Sequence, residues 1–131
     1  MDTYAVKTDN APMAVGPYSQ GVVAGNLVFT AGEIPVDPRD GTVPEDIEGQ
    51  TMQALRNVRA VLDEAGVPVK NIASVTVYLT DIDDFSRMNK VYAEFFEEPY
   101  PARSCIAAAA LPKGVKIMVS AIGVRDISRE D

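Results

Sequence analysis

The segment 72–80 constrains the fold most, because it is rich in β-branched residues and its side chains alternate between two faces. One face carries Val75, Val77 and Leu79, and the other carries Ser74, Thr76, Tyr78 and Thr80. This alternation is typical of a strand with one buried face. Any fold of this chain therefore needs a layer of apolar side chains to cover that face.

The first segment with the period of an α-helix precedes this strand. It runs from about Asp46, a predicted N-cap, to Ala65, and Gly66 follows where a left-handed C-terminal residue is expected. Its apolar positions are Ile47, Leu55, Val58, Leu62 and Ala65. Their spacing predicts an amphipathic helix that packs on the sheet.

A second helix is predicted after the strand. It begins near Asp83 or Asp84 and continues to about Phe96, and Pro99 and Pro101 prevent its extension. The stripe predicted to face the core consists of Phe85, Met88, Val91 or Tyr92, and Phe95. The strand at 72–80 thus lies between two helices in the chain.

The other predicted strands are residues 4–6, 22–24, 27–30, 102–108 and 116–124, with a Gly25-Asn26 turn between the second and third. Two helices beside one mixed sheet make an α+β sandwich, predicted as one domain over residues 1–131. Because the helices cover one face of the sheet, we expect neighbouring subunits to bury the other. The small apolar residues 106–110 favour such a contact, so a symmetric homo-oligomer is predicted.

Composition excludes several kinds of chemistry. The 131 residues include no histidine, which rules out Ser/His and Cys/His pairs and zinc sites with imidazole ligands. The net charge of −7 disfavours nucleic-acid binding. The single cysteine fits a reducing compartment, and the sequence shows neither a secretory pattern nor a membrane-spanning apolar run. We therefore expect a soluble, cytoplasmic protein that does not associate with membranes.

The segment 101–105 places Arg103 two residues before the single cysteine, Cys105. An arginine offers a rigid fork of donors that fits a carboxylate, and it does not act as a base near neutral pH. The segment alone leaves two interpretations open. Arg103 is either a binding group or a surface charge at the edge of a strand, and Cys105 is either a site residue or a small buried apolar residue.

Four motifs together point to a known family. They are Gly16-Pro17-Tyr18-Ser19-Gln20-Gly21, Thr30-Ala31-Gly32-Glu33-Ile34-Pro35-Val36-Asp37-Pro38, Asn89 ahead of Tyr92, Phe95 and Phe96, and Pro101-Ala102-Arg103-Ser104-Cys105. In order and spacing the chain resembles the RidA, or YjgF-type, family of enamine/imine deaminases. The resemblance implies a chorismate-mutase-like fold of the bacillus type and a homotrimer with sites in clefts between subunits. It also implies hydrolysis of reactive 2-enamino and 2-imino acids, such as 2-aminoacrylate, to 2-keto acids and ammonia, with no cofactor and no metal.

The resemblance also assigns roles to residues. Arg103 matches the arginine that clamps the substrate carboxylate, and Cys105 matches a cysteine whose backbone groups lie near the imine and the attacking water. Tyr18 would form a pocket wall, or else be a packed aromatic of a turn. Gly32 would allow close approach to the ligand, or merely a bend at a strand end. Asn89 would bond near the site, or tie down the second helix.

Three positions depart from the family pattern. The glutamate that directs the hydrolytic water is replaced by Ser120, and the usual serine and glutamine of the third strand are Ala31 and Glu33. A serine binds water but is a poor base without a partner. Glu33 would supply the missing carboxylate, or else be a solvated loop charge. Ser120 therefore joins Arg103 and Cys105 as a candidate catalytic residue, and Ala31, Gly32 and Glu33 join Tyr18 and Asn89 as candidate substrate-binding residues.

Three functions follow from these residues. The first is the cofactor-free deamination of 2-imino acids. The second is a module that binds or senses small keto or amino acids without turnover, which Ser120 favours. The third, an inherited family label, is a ribonuclease and translation inhibitor, and the missing histidine and the negative charge argue against it.

Overall fold

Strands and helices follow one another in the predicted order in the computed structural model, which describes residues 2–126. The elements are β1 (Thr3–Val6), β2 (Gly21–Ala24), β3 (Leu27–Thr30), α1 (Ile47–Glu64), β4 (Ile72–Leu79), α2 (Phe85–Phe95), β5 (Ala102–Ala107) and β6 (Ile117–Val124). Each lies within two residues of its predicted bounds. None of the helices in this part of the chain is long and apolar enough to span a membrane.

The strands form one six-stranded mixed sheet in the order β1-β2-β3-β6-β4-β5. Only β4 and β5 pair in parallel, and every other neighbouring pair of described strands is antiparallel. A parallel pair needs a crossover connection, and α2 supplies it. The crossover leaves β5 at the edge of the sheet, with α2 above it. The α+β prediction is confirmed.

One face of the sheet forms the core. Val75, Val77 and Leu79 of β4 are at most 1% exposed, as the alternation predicts. Side chains on the same face of β6 are buried as well, namely Ile117, Val119 and Ala121. They pack in one cluster with residues of both helices, including Leu55, Leu62, Met88 and Tyr92. Both helices therefore cover the same face.

The ends of α1 match their predicted caps. The backbone N–H of Gly49 donates to Oδ1 of Asp46 at 2.8 Å, which is the N-cap hydrogen bond expected there. Gly66 follows the helix with φ of +83°, a left-handed conformation that glycine adopts without steric cost.

The predicted stripe of α2 needs one correction. Met88, Val91 and Tyr92 are buried, but Phe85 is 36% exposed and does not join the core. Phe85 is the first residue of α2, and its ring lies against the guanidinium of Arg103, with 5.4 Å between the ring centroid and Cζ. A charged neighbour on β5 therefore takes the place of the apolar contact that the helical period predicts.

The opposite face of the sheet stays partly open. Phe29 and Ile106 are 39% and 48% exposed, and Tyr78, Met118 and Ile122 on the same face are half-buried. Large apolar side chains on an open sheet face are typical of a surface that another chain covers.

Asn57 ties the segment after β3 to α1. Its side chain is 1% exposed and donates to the carbonyl oxygens of Ile34 and Val36, both at 2.9 Å, and it accepts from Nε2 of Gln53. One buried amide thus holds the loop that follows Gly32 and Glu33.

We expect Asn57→Ala to lower the free energy of unfolding by about 2–4 kcal/mol, because two carbonyl groups lose their partner away from water. Urea unfolding at matched protein concentration measures the change. Gln53→Ala is the control, since it removes a single partner of Asn57 and should cost less than about 1 kcal/mol. Equal losses in the two variants would contradict the assignment.

Candidate active site

Arg103 lies on the edge strand β5 and is half-buried beneath α2. Its Nη1 donates to Oδ1 of Asn89 at 2.6 Å. Its Cζ lies 4.6 Å from the ring centroid of Tyr92 and 5.4 Å from that of Phe85. These distances allow cation–π attraction to both rings. Arg103 is therefore held by side chains and is not a freely moving surface charge.

The orientation of Arg103 leaves one edge of its guanidinium available. Two other arginines show how that edge is used in this chain. Arg39 donates hydrogen bonds to the carboxylate of Asp37, and Arg87 donates to that of Glu48. Each uses Nε and Nη2, at 2.7–3.1 Å. In Arg103 the hydrogen bond to Asn89 uses Nη1, and within residues 2–126 no acceptor meets Nε or Nη2. The edge that binds carboxylates elsewhere is thus free here.

A cleft of about 460 Å³ opens beside this arginine. Its lining residues are Asn89, Tyr92, Ala93, Tyr100, Pro101 and Arg103. The volume lies in the range of small-molecule sites. The cleft combines a cation and an amide with aromatic and apolar walls, which suits a small molecule with a carboxylate at one end.

Cys105 is half-buried two residues further along β5, on the same face as Arg103. Burial raises the pKa of its thiol, and the charge of Arg103 offsets only part of that rise. The thiol is therefore protonated near neutral pH and is a poor nucleophile. Burial also raises the pKa of Tyr92 to about 12, and the Tyr92 hydroxyl is buried without a hydrogen-bond partner among the described residues.

Ser120 lies on the opposite face of the sheet from Arg103. In the register of the strands, Arg103 is level with Val75, whereas Ser120 is level with Thr76. Successive residues of a strand point to opposite faces, so Ser120 shares the open face with Thr76. One chain therefore does not bring Ser120 and the guanidinium of Arg103 into the same cleft.

Glu33 is buried, so its interpretation as a solvated loop charge is wrong. It is 5% exposed and pairs with Val119 by two backbone hydrogen bonds of 2.7 and 3.0 Å. In the strand register, Glu33 is paired with Val119, which is paired with Val77, which is in turn paired with Cys105. Cys105 is therefore three strand spacings, roughly 14 Å, from Glu33. Burial raises the pKa of Glu33 to about 7. In its own chain, this carboxyl group does not reach the cleft beside Arg103.

Gly32 and Ala31 lie where β3 has ended. A Cβ on Gly32 would come within 2.7 Å of Sδ of Met118, so a larger residue there would require the Met118 side chain to move on the open face. The N–H of Ala31 donates to the carbonyl oxygen of Gln20 at 2.8 Å. The structure thus joins this segment to the motif that contains Tyr18.

Tyr18 lies near β2, far from Arg103 in the strand order of the sheet. It precedes Gly21 of β2, and four strand spacings, roughly 19 Å, separate β2 from β5. Tyr18 is 51% exposed, and its hydroxyl accepts a long hydrogen bond of 3.4 Å from the N–H of Val15. Met13 and Val15 beside it are 72% and 86% exposed. The ring is therefore available to a neighbouring molecule.

A larger groove of about 600 Å³ lies elsewhere, between the loop at Asp37 and α1. Arg39 in this groove is already paired with Asp37, and hydrogen bonds from Arg39 lower the pKa of that carboxyl group to about 2. Arg56 and Arg59 line the groove as well, but among the described residues no side-chain amide orients either guanidinium as Asn89 orients Arg103. Within residues 2–126, no group of three or more cysteine, aspartate or glutamate side chains is placed to hold a metal ion.

The structure thus brings Arg103, Asn89 and Cys105 together and leaves Tyr18, Ala31, Gly32, Glu33 and Ser120 apart from them in the same chain. Sequence reasoning assigned Tyr92 and Phe85 to the core and missed their contact with Arg103. A signal was present, because Phe85, Asn89 and Tyr92 are spaced by four and three residues and share one helical face.

Comparison with known proteins agrees with this fold. The family model described as Endoribonuclease L-PSP matches residues 8–125. The 2-iminobutanoate/2-iminopropanoate deaminase of Salmonella typhimurium is 49% identical over 123 residues, which cover 92% of this chain and 96% of that protein. The Escherichia coli deaminase of the same name is 48% identical with the same coverage.

Solved structures give the same result. The crystal structure of E. coli TdcF with bound serine superposes with a TM-score of 0.90 at 46% identity, covering 93% of this chain and 98% of that one. The yjgF gene product of E. coli gives the same TM-score, identity and coverage. Fold, motifs and relatives all agree, and the chain belongs to the Endoribonuclease L-PSP family, which is the YjgF/RidA family.

Proposed function

We propose that this protein hydrolyses 2-imino acids, and the enamines that tautomerise to them, to 2-keto acids and ammonia. The observation that carries the proposal is the Nε–Nη2 edge of Arg103, which meets no acceptor within residues 2–126 and belongs to a guanidinium held by Asn89 beside a cleft of suitable size. Relatives of nearly 50% identity that are named 2-iminobutanoate/2-iminopropanoate deaminase support the same reaction. The substrate class is a small imine that carries a carboxylate.

The working unit we propose is a homotrimer with its sites in clefts between subunits. Two features support a site shared between chains. Tyr18 precedes β2 and Arg103 lies on β5, which are far apart in the strand order of one sheet. Ser120 lies on the open face. A second copy packed on the apolar open face would supply the residues that one chain keeps apart. A closed cyclic arrangement of this kind satisfies every copy equally.

The proposed reaction needs only orientation, water and proton transfer. Arg103 binds the substrate carboxylate through two charge-assisted hydrogen bonds, which fixes the imine carbon beside β5. Water adds to the C=N bond, and the resulting aminoalcohol expels ammonia to leave the 2-keto acid. Backbone groups of Cys105 are proposed to lie near the imine. The hydroxyl of Ser120 is proposed to hold the attacking water, without acting as a strong base.

Ser120 also favours a second candidate function, in which the site binds small keto or amino acids without turnover. A ribonuclease function has less support, because the chain has no histidine and a net charge of −7. We propose the cytoplasm as the location, since a single free cysteine fits a reducing compartment.

Arg103→Ala should abolish most activity, because the carboxylate loses both of its charged hydrogen bonds. We expect kcat/KM for freshly generated 2-iminopropanoate to fall by about 10²–10³-fold, measured by ammonia release. Arg87→Ala, which removes an arginine of α2 paired with Glu48, is the control and should retain activity. An Arg103→Ala variant as active as the wild type would disprove the carboxylate clamp.

Ser120→Glu should raise kcat, because it restores a carboxylate that directs water. A positioned acid or base is worth roughly 10²–10⁴-fold, and we expect a gain of at least tenfold. Ser74→Glu places the same charge elsewhere on the open face and should give no gain. If wild type binds 2-oxobutanoate in calorimetry but gives no rate above buffer, the binding module is the correct function.

Glu33→Gln should change the pH dependence of stability. The pKa of Glu33 is raised by burial from 4.5 to about 7, so the unfolded chain ionises first as the pH rises. Its contribution to the free energy of unfolding is complete below pH 4.5 and is lost between pH 4.5 and 7. At pH 8 the variant should therefore be more stable than wild type, by up to about 3 kcal/mol.

Urea unfolding of both proteins from pH 4.5 to 8 measures this difference, and Glu45→Gln, at an exposed glutamate, controls for the loss of one charge. A constant difference across the range would contradict the buried, titrating carboxyl group. The same variant tests Glu33 as the substitute base. Because the carboxyl group is buried on the helix side, we expect imine hydrolysis to be unchanged, and a large loss of kcat would instead support the base.

A further inference from the structure

Phe85 is the exposed aromatic residue at the start of α2, and the core does not account for its position. Its exposed fraction is 36%, whereas Met88 and Tyr92 of the same helix are at most 4% exposed. Its ring lies against the guanidinium of Arg103. The position of Phe85, outside the core and against a cation, therefore suggests a role other than core packing.

The helix geometry shows what this contact does. Phe85 and Tyr92 are seven residues apart, which is two turns and about 10.5 Å along the axis. The guanidinium carbon of Arg103 lies 5.4 Å from the ring centroid of Phe85 and 4.6 Å from that of Tyr92, so both rings are within cation–π distance of it. Asn89 lies between them on the same face and accepts from Nη1. We call Phe85, Asn89 and Tyr92 the arginine cradle.

We propose that Phe85 is a positioning residue for carboxylate recognition, and this inference rests on the proposed function. Asn89 alone defines one hydrogen bond, about which the guanidinium could still turn. The two rings of the cradle limit that movement and so hold the orientation in which Nη1 bonds to Asn89 and the Nε–Nη2 edge meets no acceptor of residues 2–126. Their attraction is to a cation, and an aliphatic side chain of similar size lacks it.

The test compares Phe85→Leu with Phe85→Trp. Leucine keeps apolar bulk without a π face, and we expect KM for 2-iminopropanoate and Kd for 2-oxobutanoate to rise roughly three- to tenfold, with little change in kcat. Tryptophan is the strongest cation–π partner and should return both constants to within about twofold of wild type. Phe85 is partly exposed, so both variants should fold, which thermal unfolding checks.

Phe95→Leu is the matched control. The ring of Phe95 lies 5.3 Å from Cζ of Arg59, so the substitution removes an equivalent contact that does not involve Arg103. It should lower stability without raising KM or Kd. A merely structural role for Phe85 would make the two leucine variants behave alike, and that result would overturn the inference.

Arg103→Ala, measured in parallel, separates the inference from the proposed function. If Phe85→Leu keeps wild-type KM and Kd while Arg103→Ala loses both, Phe85 does not position the arginine and the function stands. If Arg103→Ala binds 2-oxobutanoate and hydrolyses the imine like wild type, the clamp is wrong, and the inference about Phe85 fails with it.

Discussion

The crossover from β4 through α2 to β5 is the constraint on which the candidate site depends. It makes β4 and β5 parallel, leaves β5 at the edge and places α2 above it. Arg103 on β5 therefore meets the face of α2 that carries Asn89 and Tyr92. In the described part of the chain, this half-buried guanidinium has partners on the α2 side and no acceptor at Nε or Nη2, so it attracts an anion strongly. The same residues in a hairpin would not face a helix.

The sheet also separates the residues that the family pattern assigns to one site. Arg103 and Cys105 point toward the helices. Ser120, which is one position further along the register than Arg103, points to the open face. Tyr18 precedes β2, and β2 lies four strand spacings from β5. Separation of this kind, together with large exposed apolar side chains on the open face, is what a site completed by another copy requires.

Much of the fold could be predicted from the sequence, because its signals are local. The alternation at 72–80, the cap at Asp46 and the left-handed Gly66 each depend on a few neighbouring residues, and each was confirmed. Phe85 was assigned wrongly, because the helical period does not reveal that a cation on a later strand lies beside it. The burial of Glu33 was also missed, since it depends on pairing with Val119, 86 positions further along the chain.

The sequence by itself determined the α+β class and the family, and it singled out Arg103 as a candidate, because periodicity and motifs are properties of the linear chain. Only the tertiary structure decided how Arg103 is held, that its Nε–Nη2 edge meets no acceptor among residues 2–126, and that Ser120 lies on the other face of the sheet. The physical reason is that orientation depends on strand register and on a parallel crossover. Both bring together residues that are distant in the chain, and local sequence patterns determine neither of them.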